Sequence, residues 1–330
     1  MAKKSKRKTS VKSSLLVLLL ILILLISSTY AWFTANTKVT ISSLDVKVST
    51  ANGLQISTDA TNWKTFIDVN DIKTGYEDPL CTNQLPVTMI PVSTAKDVAG
   101  GKLKLFKGSL EPNAEPGINK GKFQLTSVAA TEEKKGDSGQ FISFDVFLKV
   151  TEATSVYLTS DSNVTFKPTT DDKGLQNATR VAFLDEGNAL DGQEPITYQQ
   201  LNSYKGIKIW EPNADQHTAP AIQNAKNALK VVSPEGRQPT IGIKQAISEP
   251  ILIDKILTPD KTNLVTVTND FITNQGEVTS KTHEVMQLQP GVTKVKLYLW
   301  VEGQDIDCEN SASGSDIRFD IGFEIFNEVV

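Results

Sequence analysis

Strict alternation of apolar and polar residues is the strongest pattern in this 330-residue chain. Between Phe141 and Val150, Ile142, Phe144, Val146, Leu148 and Val150 fall on one face, with Phe141, Ser143, Asp145, Phe147 and Lys149 on the other. Val295, Leu297, Leu299 and Val301 alternate with Lys294, Lys296, Tyr298 and Trp300. Ile317, Phe319, Ile321, Phe323 and Ile325 do the same against Arg318, Asp320, Gly322, Glu324 and Phe326. A period of two predicts strands with one face on a core and the other toward solvent. Three such strands, with turn signals roughly every ten residues, predict a mainly β protein: an antiparallel β-sandwich or jelly roll.

An earlier strand is predicted over residues 37–48. Val39 and Ile41 alternate in one phase and Leu44, Val46 and Val48 in the other, so Ser42-Ser43 marks a bulge-like slip. Shorter strands are predicted at 53–57, 87–92 and 103–106, the last preceded by a Gly100-Gly101 turn, with a loop over 111–121. One region carries helical periodicity. A short helix is expected at 198–204 and, after a strand-like 207–210, a second at 219–230. Thr218 is its N-cap, Pro220 sits in its first turn, and Ile222, Ala225, Leu229 and Val232 share a face. Residues 180–184 and 251–257 again look like strands. The organisation expected is one domain over 32–330 with a helix-containing insertion at about 185–250.

Ahead of the strands, six cations (Lys3, Lys4, Lys6, Arg7, Lys8, Lys12) precede an unbroken apolar run from Leu15 to Ile26, expected to form a hydrophobic helix. Ser27, Ser28 and Thr29 follow, then Tyr30-Ala31-Trp32-Phe33. This order is that of an export signal, because the cations stay on the cytoplasmic face while the apolar segment enters the bilayer. Twelve apolar residues span about 18 Å as a helix, short of the roughly 30 Å hydrocarbon core. That favours cleavage after the small Ala31, leaving Trp32 as the new N-terminus. Extended through Phe33, the segment also suits an uncleaved anchor with an aromatic pair at its outer end. The cleaved reading makes a signal peptidase a partner, both readings make the membrane one, during export or as an anchor, and both place residues 32–330 at the cell surface or outside the cell.

The net charge of −4 hides an asymmetry, since residues 1–31 hold six of the 34 basic residues and none of the 38 acidic ones. The remainder carries 28 basic against 38 acidic residues, a net charge of −10. So acidic a surface excludes nucleic acid as the expected partner.

Catalytic signals are weak. Two cysteines, Cys81 and Cys308, are candidates for one disulfide or for two buried thiols. Gly136-Asp137-Ser138-Gly139 looks like a protease nucleophile motif, but both histidines, His217 and His283, follow it, and the sequence is ordinary turn chemistry before a strand. Glu302, Asp305, Asp307 and Glu309 form the densest group of carboxylates and are weak candidates for holding Ca2+, set against a solvated loop. Asp185-Glu186 with Asp191 and Glu194 poses the same alternatives. His217 is a candidate metal ligand or a capping residue, with no HxxxH or HExxH companion. No P-loop or GxGxxG occurs. No catalytic or cofactor-binding residue is expected, and enzyme function is not the expectation. Tyr298 and Trp300 are candidate exposed ligand contacts, set against a second buried sheet face or a covering helix.

The junction Thr29-Tyr30-Ala31-Trp32-Phe33-Thr34 after a long apolar run resembles the signal-peptide junction of the TasA and camelysin family, exported proteins of Gram-positive bacteria processed by a SipW-type signal peptidase. Val39, Ile41, Leu44, Asp45 and Val46 are similar to that family's first mature strand, and the likeness covers about the first fifty residues. Lys208-Ile209-Trp210-Glu211-Pro212-Asn213 and the stretch from Leu299 to Cys308 look like recurrent blocks of uncharacterised exported proteins with this kind of signal. The resemblance implies a jelly-roll subunit of an extracellular fibre or biofilm matrix that self-associates by N-terminal strand addition. Its donor strand would carry Val39, Ile41, Leu44, Val46 and Val48. An intramolecular first strand is the alternative, as is a membrane-anchored monomeric surface-binding module. The helical insertion and the longer mature chain depart from the family pattern.

Overall fold

The computed structural model describes residues 38–49, 53–76, 83–131, 138–168, 170–214, 216–223, 240–252, 262–272, 283–309 and 312–326. The apolar segment expected to act as an export signal, Ala31, Trp32 and Cys81 lie outside the described residues. Among these residues no helix is long and apolar enough to cross a membrane.

The protein is mainly β, and two sheets carry most of it. The larger runs in the order Glu284–Leu288, Thr154–Leu158, Ser315–Ile325, Val39–Val48, Thr88–Met89, Ser138–Gly139, with Asn163–Phe166 and Phe66–Ile67 as side branches. The second runs Phe271–Ile272, Gly206–Glu211, Thr179–Ala189, Gly291–Val301, Ile142–Val150, Gln55–Ser57. The apolar faces foreseen from alternation meet in one core. Phe144, Val146, Leu297 and Leu299 from the second sheet join Val46, Phe319, Ile321 and Phe323 from the first. Phe183 and Phe323 touch edge to face across the two sheets, ring centroids 5.7 Å apart.

Pairing is mostly antiparallel, but the first strand runs parallel to the last, from Val39 opposite Ser315 to Val48 opposite Phe323. The larger sheet is therefore mixed. Alternation says which side chains share a face and nothing about strand direction. The foreseen slip is present: Ser42 is the extra residue between the pairs Ile41–Ile317 and Ser43–Arg318. The phase change lets Val39 and Leu44 both reach the core, while Ile41 packs against it half-buried.

A larger departure concerns the polar faces. Ser315–Ile325 is half-buried as expected, but Gly291–Val301 is buried at all eleven positions. Its outer face is covered in two places. Val92, Leu103 and Leu105 pack on Tyr298 and Trp300, and Tyr76, Trp63 and Tyr198 on Phe147 and Val292. The covering elements include the hairpin Val98–Ala99/Lys102–Leu103, turned by Gly100 and Gly101 at φ 60° and 72°, and the short helix Pro195–Gln199. Tyr298 and Trp300 are thus core residues, 0 % and 1 % exposed, and not surface ligand contacts.

A satellite core joins the three-stranded sheet Phe106–Pro112, Phe123–Ala129, Ile247–Leu252 to the pair 240–243 and 264–267. Its contacts include Phe106, Leu125, Ile243, Leu264, Ala221 and Ile306. Of residues 185–250, Gly206–Glu211 is a full member of the six-stranded sheet and Thr240–Ile243 pairs with Leu264–Val267. Residues 219–223 are helical, and Thr218 caps them, its Oγ1 accepting from the Ala221 N–H at 3.3 Å. The expected remainder of that helix, 224–230, lies outside the described residues.

Truncating Phe323 to alanine removes the inter-sheet ring contact and is expected to lower stability by about 3–5 kcal/mol in urea denaturation. Ile118→Ala, at a side chain 92 % exposed, is expected to change it by less than about 0.5 kcal/mol.

Candidate functional site

The acidic segment after Gly291–Val301 is the centre of a buried polar cluster. It leaves the strand under restraint: the Glu302 N–H donates to Ala178 O at 2.8 Å and the Gly303 N–H to Val92 O at 2.9 Å. Tight turns follow, with the Asp305 N–H on Glu302 O and the Cys308 N–H on Asp305 O, each at 3.1 Å. The Asp307 N–H donates to Asp305 Oδ1 at 3.0 Å, the Asx pattern that favours aspartate in such turns. Ile306 points into the satellite core and fixes the segment from the other side.

These carboxylates are not solvated. Glu302, Asp305, Asp307 and Glu309 are 1–7 % exposed. Arg180, opposite Trp300 in the sheet, places its Nη2 2.8 Å from Asp305 Oδ2 and 2.7 Å from Glu211 Oε1. His217 Nδ1 lies 2.6 Å from Asp307 Oδ2, whose Oδ1 accepts from both the N–H and the hydroxyl of Thr218 at 3.0 Å. Glu302 accepts from Trp300 Nε1 at 3.2 Å and from the Gln304 N–H at 3.3 Å. Gly174 borders the cluster in the left-handed region at φ 80°. A Cβ there would come within 2.2 Å of Thr218 Cγ2, so the close approach requires glycine.

The grouping expected from sequence therefore changes. Atoms of His217, Asp305 and Asp307 lie within 4.8 Å of one another and can converge on a cation, whereas Glu302 is turned toward Trp300. One imidazole with two carboxylates suits a borderline metal better than Ca2+, which takes six to eight oxygens. The three groups already hold one another and Arg180, so a metal would have to displace the His217–Asp307 hydrogen bond. Asp185, Glu186, Asp191 and Glu194 do not form a comparable site. Asp185 Oδ1 accepts from the Gly187 N–H, Asp191 pairs with Lys149 at the surface, and Glu186 faces Lys294. His283 packs on Phe271 and lies 3.3 Å from Ile272 O. Ser138 belongs to the short strand Ser138–Gly139. Cys308 is a buried free thiol, its pKa held well above the ordinary range by burial and by the neighbouring carboxylates.

Beside His217 opens a cavity of about 270 Å3, lined among others by Phe166, Asp172, Gln176, Asn177, Gln216 and His217. Gln176 donates to Asp172 Oδ1 at 2.8 Å, and its buried Oε1 has no hydrogen-bond partner among the described residues. Sequence inspection missed this cavity, Arg180 and Glu211, because their residues come from segments far apart in the chain.

Burial pushes the Glu302 carboxyl up to about 7, against the pull of Arg180 and Trp300. Burial also raises Asp307. For His217 burial works downward, but the Asp307 hydrogen bond and the charges of Asp305 and Asp307 outweigh it and raise the imidazole. A carboxyl whose pKa is raised by folding stabilises fully below its unfolded value, and loses that stabilisation as pH passes through the folded value. The melting temperature is therefore expected to fall between about pH 5 and 8, with Glu302 contributing of order 3 kcal/mol. Glu302→Gln should flatten the decline in scanning calorimetry. Compared with known protein families, with curated proteins and with solved structures, the chain matches none.

Proposed function

We propose that the protein is a non-enzymatic subunit of an extracellular fibre or matrix, a two-layer jelly roll that assembles by exchange of its N-terminal strand. The observation that carries this is the position of Val39–Val48. It directly follows the export segment in sequence, yet lies inside the larger sheet, with Ser315–Ile325 on one side and Thr88–Met89 on the other. Val39, Leu44, Val46 and Val48 are buried there. A strand from a neighbouring copy would offer the same groove the same hydrogen bonds and side chains. Exchange then depends on local concentration and on release of the N-terminus by cleavage after Ala31.

A membrane-anchored, monomeric surface-binding module is the second reading, favoured by the polar cavity beside His217. Retention of the uncleaved export segment would leave the first strand in its own chain.

Deleting residues 32–41 from the exported protein is expected to give a folded chain that no longer forms large assemblies in sedimentation velocity, while the unshortened processed chain polymerises. Simple unfolding of the shortened chain, or a processed chain that stays monomeric at every concentration, contradicts strand exchange.

A further inference from the structure

A second group of charges is buried on the outer face of the six-stranded sheet, away from the acidic segment. Lys294 Nζ lies 3.2 Å from Asp145 Oδ2 and 3.0 Å from Glu186 Oε2, and these side chains are 3 %, 0 % and 6 % exposed. Lys296 Nζ is 3.4 Å from Asp145 Oδ1. The Tyr76 hydroxyl donates to Asp145 Oδ2 at 2.6 Å. Asp145 sits opposite Lys296 in the sheet and Phe147 opposite Lys294, so Lys294 reaches Asp145 diagonally across neighbouring strands. Tyr76, Phe147, Tyr198 and Trp63 pack beside the group. The carbonyls of Gln199 and Leu201 accept from Lys294 Nζ at 2.9 and 3.1 Å and hold the nitrogen in place.

We propose that Lys294 and Asp145 become joined by an intramolecular isopeptide bond, with Glu186 as the proton-transfer residue. The chemistry needs no oxidant and no cofactor. Lys294 gives one ammonium proton to Glu186, and the freed lone pair on Nζ forms a bond to Asp145 Cγ. Negative charge developing on the carboxyl oxygens faces Lys296 and the Tyr76 hydroxyl. One C–O bond then breaks, and the departing oxygen leaves as water with two of the three original ammonium protons, relayed through Glu186. The third remains as the amide N–H.

Three conditions favour this product over a lasting ion pair. Burying an amine and a carboxylate together carries a large desolvation penalty, which the amide removes by cancelling both charges. The two strands hold the reacting groups at an effective concentration on the order of 10⁵ M or more in a site that excludes the water needed for hydrolysis. Burial and the Asp145 charge, opposed by Lys294 and Lys296, leave Glu186 at about 7, where a carboxyl can both take up and return a proton at neutral pH. The bond would tie Ile142–Val150 to Gly291–Val301, two central strands of the sheet.

The test is mass spectrometry of the denatured full chain together with a proteolytic peptide map. The expected result is a mass lower by one water, about 18 Da, and a peptide pair linked through Lys294 and Asp145 that survives boiling and reductant. Asp145→Ala and Glu186→Gln should each restore the full mass. Separate, unmodified peptides carrying Lys294 and Asp145 in the wild-type chain overturn the proposal without reference to any variant. A link that persists in folded Glu186→Gln, checked by circular dichroism, overturns the role given to Glu186.

Discussion

The pairing of the first strand with the last is the contact on which the larger sheet depends. It joins residues 275 positions apart, such as Lys38 and Ser313, and runs over nine register pairs from Val39–Ser315 to Val48–Phe323. Closing so long a loop is entropically unfavourable, though the penalty grows only slowly with length, and burial of Leu44, Val46 and Phe319 on the shared core offsets it. Nothing in that contact requires the two strands to belong to one chain. The proposed assembly exchanges this strand between copies, and its parallel direction leaves Lys38 beside the start of the last strand, its N–H donating to Ser313 Oγ at 3.2 Å.

The second sheet obeys a different constraint, because both of its faces are covered. Charged residues on its outer face must then be paired, and they are: Arg180 with Asp305 and Glu211, and Lys294 with Asp145 and Glu186. The two groups lie at different places on one buried surface. The first gathers the acidic segment and His217 near a cavity. The second sets an amine, a carboxylate and a proton-transfer residue within reach of one another.

The three strong strands, the slip at Ser42, the Gly100-Gly101 turn and the Thr218 cap were legible in the sequence because each rests on local rules of periodicity, φ and hydrogen bonding. The parallel first-to-last pairing was not legible, since side-chain alternation carries no direction. Weakly patterned strands such as Phe123–Ala129 escaped notice because their partners, Phe106–Pro112 and Ile247–Leu252, supply the order that their own residues do not. The carboxylates at 302–309 looked solvated for a related reason. Only the fold reveals Arg180 beside them, and only the covering residues Val92 to Leu105 turn Tyr298 and Trp300 from surface into core. Lys294 and Lys296 likewise occupy positions that alternation assigns to solvent.

Asp45 and Asp320 face each other across the first and last strands, and burial together with the Asp320 charge raises the Asp45 carboxyl. They mark the contact that decides between an intramolecular and an exchanged strand. The most direct measurement replaces both with cysteine in a Cys81→Ser, Cys308→Ala background, oxidises the exported assemblies, and separates the chains under denaturing, non-reducing conditions. Strand exchange predicts covalent ladders of chains linked from residue 45 of one copy to residue 320 of the next. Links confined to single chains in material that has assembled would contradict it.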